Sequence, residues 1–231
     1  EAGKMEQNLR RFDACIFDLD GTLANTLASI AYFGNSTLRE YGLPEIPVET
    51  YKSLVGNGAD VLMRRMLKTV GAQLSEEQVR EFRAAYDRRY ESEPLRLVEP
   101  YPGIPEALRD LKTRGMKLGV LSNKPDNMAQ YITGALFGEL VDQCHGQRNG
   151  VPKKPDPTAV LQMASDLGVE PGRVLYVGDS GVDMQTGRNA GMVPCGVLWG
   201  FRDEAELRET GAALLASTAQ ELRDAALREG C

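Results

Sequence analysis

The sequence predicts an α/β fold, a doubly wound parallel sheet that carries an inserted all-helical segment. Short apolar runs repeatedly end in polar residues, as expected of strands covered on both faces and opening onto a crevice. From Pro102-Gly103 onward, helix-like and strand-like stretches alternate, which implies βαβ units. Between residues 24 and 97 only helical periodicity is found. The expected organisation is a core of residues 10–23 and 98–231, with residues 24–97 inserted as a helical cap.

The first strand is Phe12-Asp13-Ala14-Cys15-Ile16-Phe17, which ends at Asp18. After Gly21, Leu23, Leu27 and Ile30 recur at one-turn spacing, as do Leu62, Met66 and Val70. Ser75 and Gln78 have capping-box spacing and open a helix carrying Val79, Phe82 and Tyr86. A helix with Leu108 and Leu111 closes near Gly115, and a strand follows at Lys117-Leu118-Gly119-Val120-Leu121. Val160, Leu161, Ala164 and Leu167 form a helix ended by Gly168, before a strand at Arg173–Val177 and another around Val193–Leu198. Glu99-Pro100-Tyr101-Pro102-Gly103 is the expected hinge between insert and core, with 22–26 as its counterpart.

Composition narrows the function classes. The net charge is −6, from 33 acidic and 27 basic residues among 231, which leaves no broad basic field for nucleic acid. No apolar run reaches a membrane span, and no leader pattern is present, so a cytoplasmic protein is expected, with no membrane partner. Cys15, Cys144, Cys195 and Cys231 form no CxxC pair and read as reduced thiols. Glu1-Ala2-Gly3 ahead of Met5 fits either a cloning remnant or a natural extension and is set aside. Neither a monomer nor a homodimer is favoured.

The chemistry-bearing residues sit at strand ends. Asp18-Leu19-Asp20-Gly21-Thr22 places two carboxylates where a buried strand stops. Taken alone they read equally as turn formers before glycine. Gly178-Asp179-Ser180-Gly181-Val182-Asp183 supplies a second acidic pair at another strand end. Converging carboxylates repel unless a hard cation offsets them, and oxygen-only ligands favour magnesium. Ser122-Asn123-Lys124 and Lys153-Lys154-Pro155-Asp156-Pro157 offer hydroxyl and ammonium groups suited to a phosphoryl dianion. His145, the only histidine, has no partner motif and is assigned no role.

The order Asp18-x-Asp20-Gly21-Thr22, Ser122, Lys154 and Gly178-Asp179-Ser180 with Asp183 resembles the four motifs of haloacid dehalogenase phosphatases across nearly the whole chain. The resemblance implies a Rossmann-like core, with Asp18 as a nucleophile that becomes an aspartyl-phosphate and Asp20 as general acid and then base. It implies magnesium on the Asp18 carboxylate, the Asp20 carbonyl and Asp179, with Asp183 close by. It gives Ser122, Asn123 and Lys154 to the substrate phosphate. Lys154 is preferred to Lys153 because it directly precedes the Pro-x-Pro segment, and Lys153 reads as a solvent-facing charge. Ala24-Asn25-Thr26 departs from the acid and serine that many relatives carry there.

A helical cap between the first and second motifs resembles the subgroup of phosphoglycolate phosphatases, β-phosphoglucomutases and phosphonate hydrolases. Val55-Gly56-Asn57-Gly58-Ala59-Asp60-Val61 and Leu198-Trp199-Gly200-Phe201-Arg202 look like segments of phosphoglycolate phosphatases. Gly56 and Gly58 read either as an amide approach to a carboxylate at a helix start or as a flexible turn. The same stretch lacks the third glycine of a dinucleotide fingerprint. The expected function is hydrolysis of a small phosphorylated metabolite such as 2-phosphoglycolate. A sugar-phosphate mutase and another small-metabolite phosphatase or pyrophosphatase are the near alternatives, and a receiver-like phospho-acceptor module the distant one.

Overall fold

The computed structural model describes residues 10–228; the Glu1–Gly3 stretch, Met5 and Cys231 lie outside the described residues. Strand β1 (Ala14–Phe17) is buried throughout. Its flanks are β4 (Lys117–Pro125) and β6 (Val174–Gly178), both parallel to it. Ala14 faces Lys117 and Val174 in the two registers, and Phe17 faces Val120 and Val177. With β5 (Gln143–Gln147), β7 (Val193–Val197) and β8 (Leu214–Ala216), the sheet has six strands in the order β5-β4-β1-β6-β7-β8. The chain builds one side of β1 through β4 and β5, then crosses to build the other. The strand order therefore reverses at β1, and the crevice opens beyond its carboxyl end.

Alternation along the strands explains why their sequences are apolar without interruption. Cys15, Phe17, Leu118, Val120, Leu175 and Val177 face helices α5 (Ile104–Thr113), α6 (Asp126–Phe137) and α10 (Ala219–Ala226). Ala14, Ile16, Leu121, Val174 and Tyr176 face the opposite layer, with Val160 and Met163 of α7 (Thr158–Leu167). Two faces need two apolar sets, and a period-2 strand supplies both. Helices α8 (Gly181–Asn189) and α9 (Glu204–Glu209) complete the core layers.

Between β1 and β4 lie α1 (Leu27–Glu40), α2 (Tyr51–Leu54), α3 (Ala59–Thr69) and α4 (Glu76–Ser92). Their shared interior is aromatic: the Phe33 and Tyr90 rings stack with centroids 4.9 Å apart, and Tyr41 meets Phe82 edge-on. Ser75 and Gln78 form the expected capping box, with Gln78 N donating to Ser75 Oγ at 3.2 Å and Ser75 N to Gln78 Oε1 at 2.9 Å. The chain enters and leaves this insert through a two-stranded antiparallel ribbon, β2 (Ala24–Asn25) and β3 (Glu99–Pro100).

The structure adds to or departs from the sequence expectation at four places. Leu23 is not helical, because the amides of Thr22, Leu23 and Ala24 all converge on Leu19 O and make a turn, so α1 starts at Leu27. Strand β4 runs on to Pro125, which puts Ser122–Lys124 within it rather than after it. The ribbon at β2 and β3 lies at the two chain passages where hinges were expected. Strand β5 escapes apolar patterning because it is an edge strand of sequence Gln-Cys-His-Gly-Gln, paired on one side only.

Among the described residues no helix is long and apolar enough to cross a membrane. Cys15 and Cys195 are buried free thiols, and Cys144 is a half-buried one.

Leu97, two residues before β3, has φ 58° with a side chain 55% exposed. A branched residue in the left-handed region is strained, and little packing compensates here. Leu97→Gly is expected to raise stability by about 0.5–1 kcal/mol, read as a higher urea midpoint. A lower midpoint would show that leucine packing outweighs the strain.

Candidate functional site

Asp18 follows the last residue of β1, and its amide donates to Val177 O of β6 at 2.9 Å, which ties its backbone to the carboxyl end of the sheet. Asp18 Oδ1 accepts from Leu19 N at 2.8 Å and from Lys154 Nζ at 3.2 Å. Lys154 Nζ also donates to Asp183 Oδ1 and Leu121 O, each at 2.9 Å, so all three ammonium protons are engaged. Burial opposes its charge, but Asp18 and Asp183 outweigh it and hold the ammonium well above the ordinary lysine range.

Asp179 directly follows β6 and is buried. Its Oδ2 accepts from Phe201 N at 2.9 Å, and its Oδ1 accepts from Thr22 Oγ1 at 3.3 Å. Two glycines make the approach possible. A Cβ on Gly21, whose φ is 83°, would lie 2.2 Å from Asp179 Oδ2, and one on Gly200 would lie 2.3 Å from Asp179 Cβ. Asp183 is also buried, and its Oδ2 accepts from Asp179 N, Ser180 N and Ser180 Oγ at 3.0–3.3 Å. Asp183 therefore organises Lys154 and the start of α8 as well as standing beside the other acids.

Oxygens of Asp18, Asp179 and Asp183 lie within 4.8 Å of one another. Desolvation and then the Asp183 charge push Asp18 well above the usual carboxylate range, and the same two causes raise Asp179 to about 7. One lysine does not offset two buried acids and a part-buried one. The donor set is hard oxygen throughout, with no sulfur or imidazole in it, and so fits magnesium.

Asp20 stands on the other side of the turn. Its Oδ1 accepts from Thr26 Oγ1 at 2.6 Å and lies 3.0 Å from Lys124 Nζ, and Oδ2 meets no protein donor among the described residues. Ser122 Oγ accepts from Lys124 N at 3.0 Å, which leaves its hydroxyl proton free to donate. Asn123 lines the cleft, with its side chain engaged by the protein. Its Oδ1 accepts from Lys154 N at 2.9 Å, and its Nδ2 donates to Lys154 O and Gly56 O, each at 3.1 Å. With both side-chain protons on carbonyls, Asn123 clamps the Lys154 backbone and offers no side-chain proton to a phosphate.

Sequence reasoning missed several residues around this centre. Lys124, within β4, pairs with Asp20 and donates to Tyr90 Oη of α4 at 2.7 Å. Trp199 Nε1 donates to Thr22 O at 2.9 Å, and Arg202 Nη2 donates to Val55 O at 3.0 Å. Lys153 is exposed, as expected, and also donates to Asn57 O at 2.7 Å. Three successive carbonyls of the insert, at Val55, Gly56 and Asn57, are thus held by side chains of the sheet layer. The likeness of the Val55 and Leu198 segments to one group of enzymes was the available signal, but it gave no contact. His145 lies on β5 and lines no part of the cleft; burial and then Arg148 lower its pKa.

The centre forms the floor of an open cleft of about 750 Å³, mouth included, roofed by Ile30, Leu62, Tyr86 and Tyr90 of the insert. The carboxylate oxygens can hold a divalent cation, and such a cation, the Lys154 charge and the free Ser122 hydroxyl can together bind and neutralise a phosphoryl group.

The family model for haloacid dehalogenase-like hydrolase matches residues 15–197. The chain is 35% identical over 200 residues to the phosphoglycolate phosphatase of Haemophilus influenzae, covering 84% of this chain and 89% of that one. It is 32% identical to the N-acetylmuramic acid 6-phosphate phosphatase of Pseudomonas aeruginosa, over 96% and 97% of the two chains. The solved structure of a predicted phosphoglycolate phosphatase from Haemophilus somnus superposes with a TM-score of 0.85 at 28% identity, covering 92% of this chain and 96% of that one.

The acid cluster makes stability depend on pH. Asp179 titrates at about 7 when folded, against 3.8 for the ordinary group, so the folded state holds its proton over that interval and the unfolded state does not. Stability is therefore lost as pH rises from near 4 to about 7, and a bound divalent cation removes the loss. With chelator, the melting temperature is expected to fall from about pH 5 to about pH 8, and magnesium to raise it more at the higher pH. A larger magnesium effect at the lower pH would contradict this.

Proposed function

The chain belongs to the haloacid dehalogenase-like hydrolases, and on that premise we propose that it is a phosphatase of small phosphate monoesters, with 2-phosphoglycolate as substrate and Asp18 as nucleophile. The observation that carries the reading is Asp18 itself, held at the cleft floor by Lys154 and beside Asp179 and Asp183. Residues 24–97 act as the cap, joined to the core by the β2–β3 ribbon.

Asp18 Oδ2 meets no protein donor among the described residues and is the oxygen available to attack phosphorus. As the P–O ester bond breaks, Asp20 Oδ2 gives its proton to the leaving alkoxide. The product is the free alcohol and an aspartyl-phosphate on Asp18. Asp20, now a carboxylate, takes a proton from water, whose oxygen attacks phosphorus. Inorganic phosphate leaves, and the Asp18 carboxylate is restored. Ser122 Oγ donates to a phosphoryl oxygen, Lys154 offsets charge on the nucleophile, and Asn123 keeps Lys154 in place. Magnesium among Asp18, Asp179 and the Asp20 carbonyl, with Asp183 adjacent, would supply the remaining positive charge at the phosphoryl group.

The relatives' names support a small acid ester: phosphoglycolate and N-acetylmuramic acid 6-phosphate both carry a carboxylate. The apolar and aromatic roof leaves room for a compact leaving group.

Asp18→Asn is expected to lower turnover by about a thousandfold or more. Because Asp18 is held in an unfavourable charge environment, the same variant is expected to melt higher than the wild type in chelator. Activity near normal would refute the nucleophile assignment. Chelation is expected to abolish phosphate release and added magnesium to restore it; release undiminished in chelator would refute the metal. Initial rates on 2-phosphoglycolate, N-acetylmuramic acid 6-phosphate and p-nitrophenyl phosphate test the substrate, and the highest kcat/KM on either of the latter two would displace it.

A further inference from the structure

Lys124 is used by none of the steps above, yet it lies against the group that protonates the leaving oxygen. Lys124 Nζ is 3.0 Å from Asp20 Oδ1 and 2.7 Å from Tyr90 Oη, and sits 4.4 Å from the centre of the Tyr90 ring. Its side chain is 7% exposed, and it lines the cleft. Burial opposes the charge, but Asp20 and Tyr90 outweigh it and keep the ammonium protonated. An ammonium has three N–H donors, and two have protein acceptors among the described residues. The third has none.

The other cations nearby are placed differently: Lys154 has three acceptors of its own, Lys153 is exposed and gives one N–H to Asn57 O, and Arg202 holds Val55 O and Glu206 through its Nη atoms while its buried Nε meets no acceptor among the described residues. Asp87 and Glu91, which flank Tyr90 on α4, also line the cleft. A leaving group bound at Asp20 Oδ2 brings the carbon next to its ester oxygen, and whatever that carbon carries, beside Lys124.

We propose that Lys124 is the specificity residue of the site, its remaining N–H binding a carboxylate carried on the carbon next to the leaving oxygen, with Tyr90 of the insert holding the ammonium in place. This rests on the acid-ester reading above and names the group that selects the ester. Tyr90 is a positioning residue. Because it belongs to the insert, the carboxylate site is complete only when α4 is seated over the sheet layer.

The test compares 2-phosphoglycolate with 2-hydroxyethyl phosphate, which replaces the carboxylate by an uncharged alcohol on the same skeleton. Initial rates are measured for the full chain with magnesium, as wild type, Lys124→Met and Tyr90→Phe. The wild type is expected to prefer the acid ester in kcat/KM. Lys124→Met should lower that preference by about tenfold to hundredfold, the scale of one charged hydrogen bond. Tyr90→Phe should lower it by a smaller factor, through a higher KM for the acid ester alone, and carries the test if Lys124→Met loses its structure. Variants that slow both esters by equal factors would overturn the proposal and leave Lys124 as a support for Asp20. A wild type with no preference between the esters would overturn the acid-ester reading, and this inference with it.

Discussion

One buried ammonium organises this active centre. Lys154 Nζ reaches Asp18 at the end of β1, Leu121 O in β4 and Asp183 in α8, so three separately folded elements share one cation. Asn123 in turn clamps the Lys154 backbone on both its amide and its carbonyl. Breaking a buried pair by removing one partner typically costs about 3–5 kcal/mol, because the partner is left charged and dry. That constraint explains why the lysine must arrive from a loop beyond β5, at the edge where the strand order reverses. The sheet supplies the edge, and the cation fixes what gathers there.

The same cluster is poorly neutralised without a further cation. Asp18 and Asp179 are both pushed toward their protonated forms by burial and by Asp183. As the proposed nucleophile Asp18 must be ionised, and on that reading the protein holds this site at a cost to its own stability, as functional sites commonly do. The glycines at 21 and 200 belong to the same arrangement, since a methyl group at either would occupy the space of Asp179.

Much of the core was legible in the sequence because its strands are buried on both faces and end in chemistry. Asp18, Asp20, Ser122 and Asp179 all stand at or near predicted strand ends, Lys154 is marked by the Pro-x-Pro segment that follows it, and the structure gathers the five on one edge. What escaped has a common cause: it depends on side chains from distant parts of the chain meeting in space. Lys124 reads as one more polar residue after a strand until Tyr90 and Asp20 are placed beside it. The clasp on Val55, Gly56 and Asn57 joins residues far apart in sequence, and glycine-rich loops look alike whether they are held or free. Strand β5 was hidden for a simpler reason, since a polar edge strand carries no apolar period.

The most direct test of the account is chemical capture of the phosphorylated carboxylate. The wild-type chain, turning over 2-phosphoglycolate with magnesium, would be quenched, reduced with borohydride and digested for peptide mass analysis. Reduction converts an aspartyl-phosphate to homoserine, and the account places that conversion at residue 18 alone, only in the presence of substrate. Conversion at Asp20, Asp179 or Asp183, or none at residue 18 from a burst-trapped enzyme that is turning over, would contradict it.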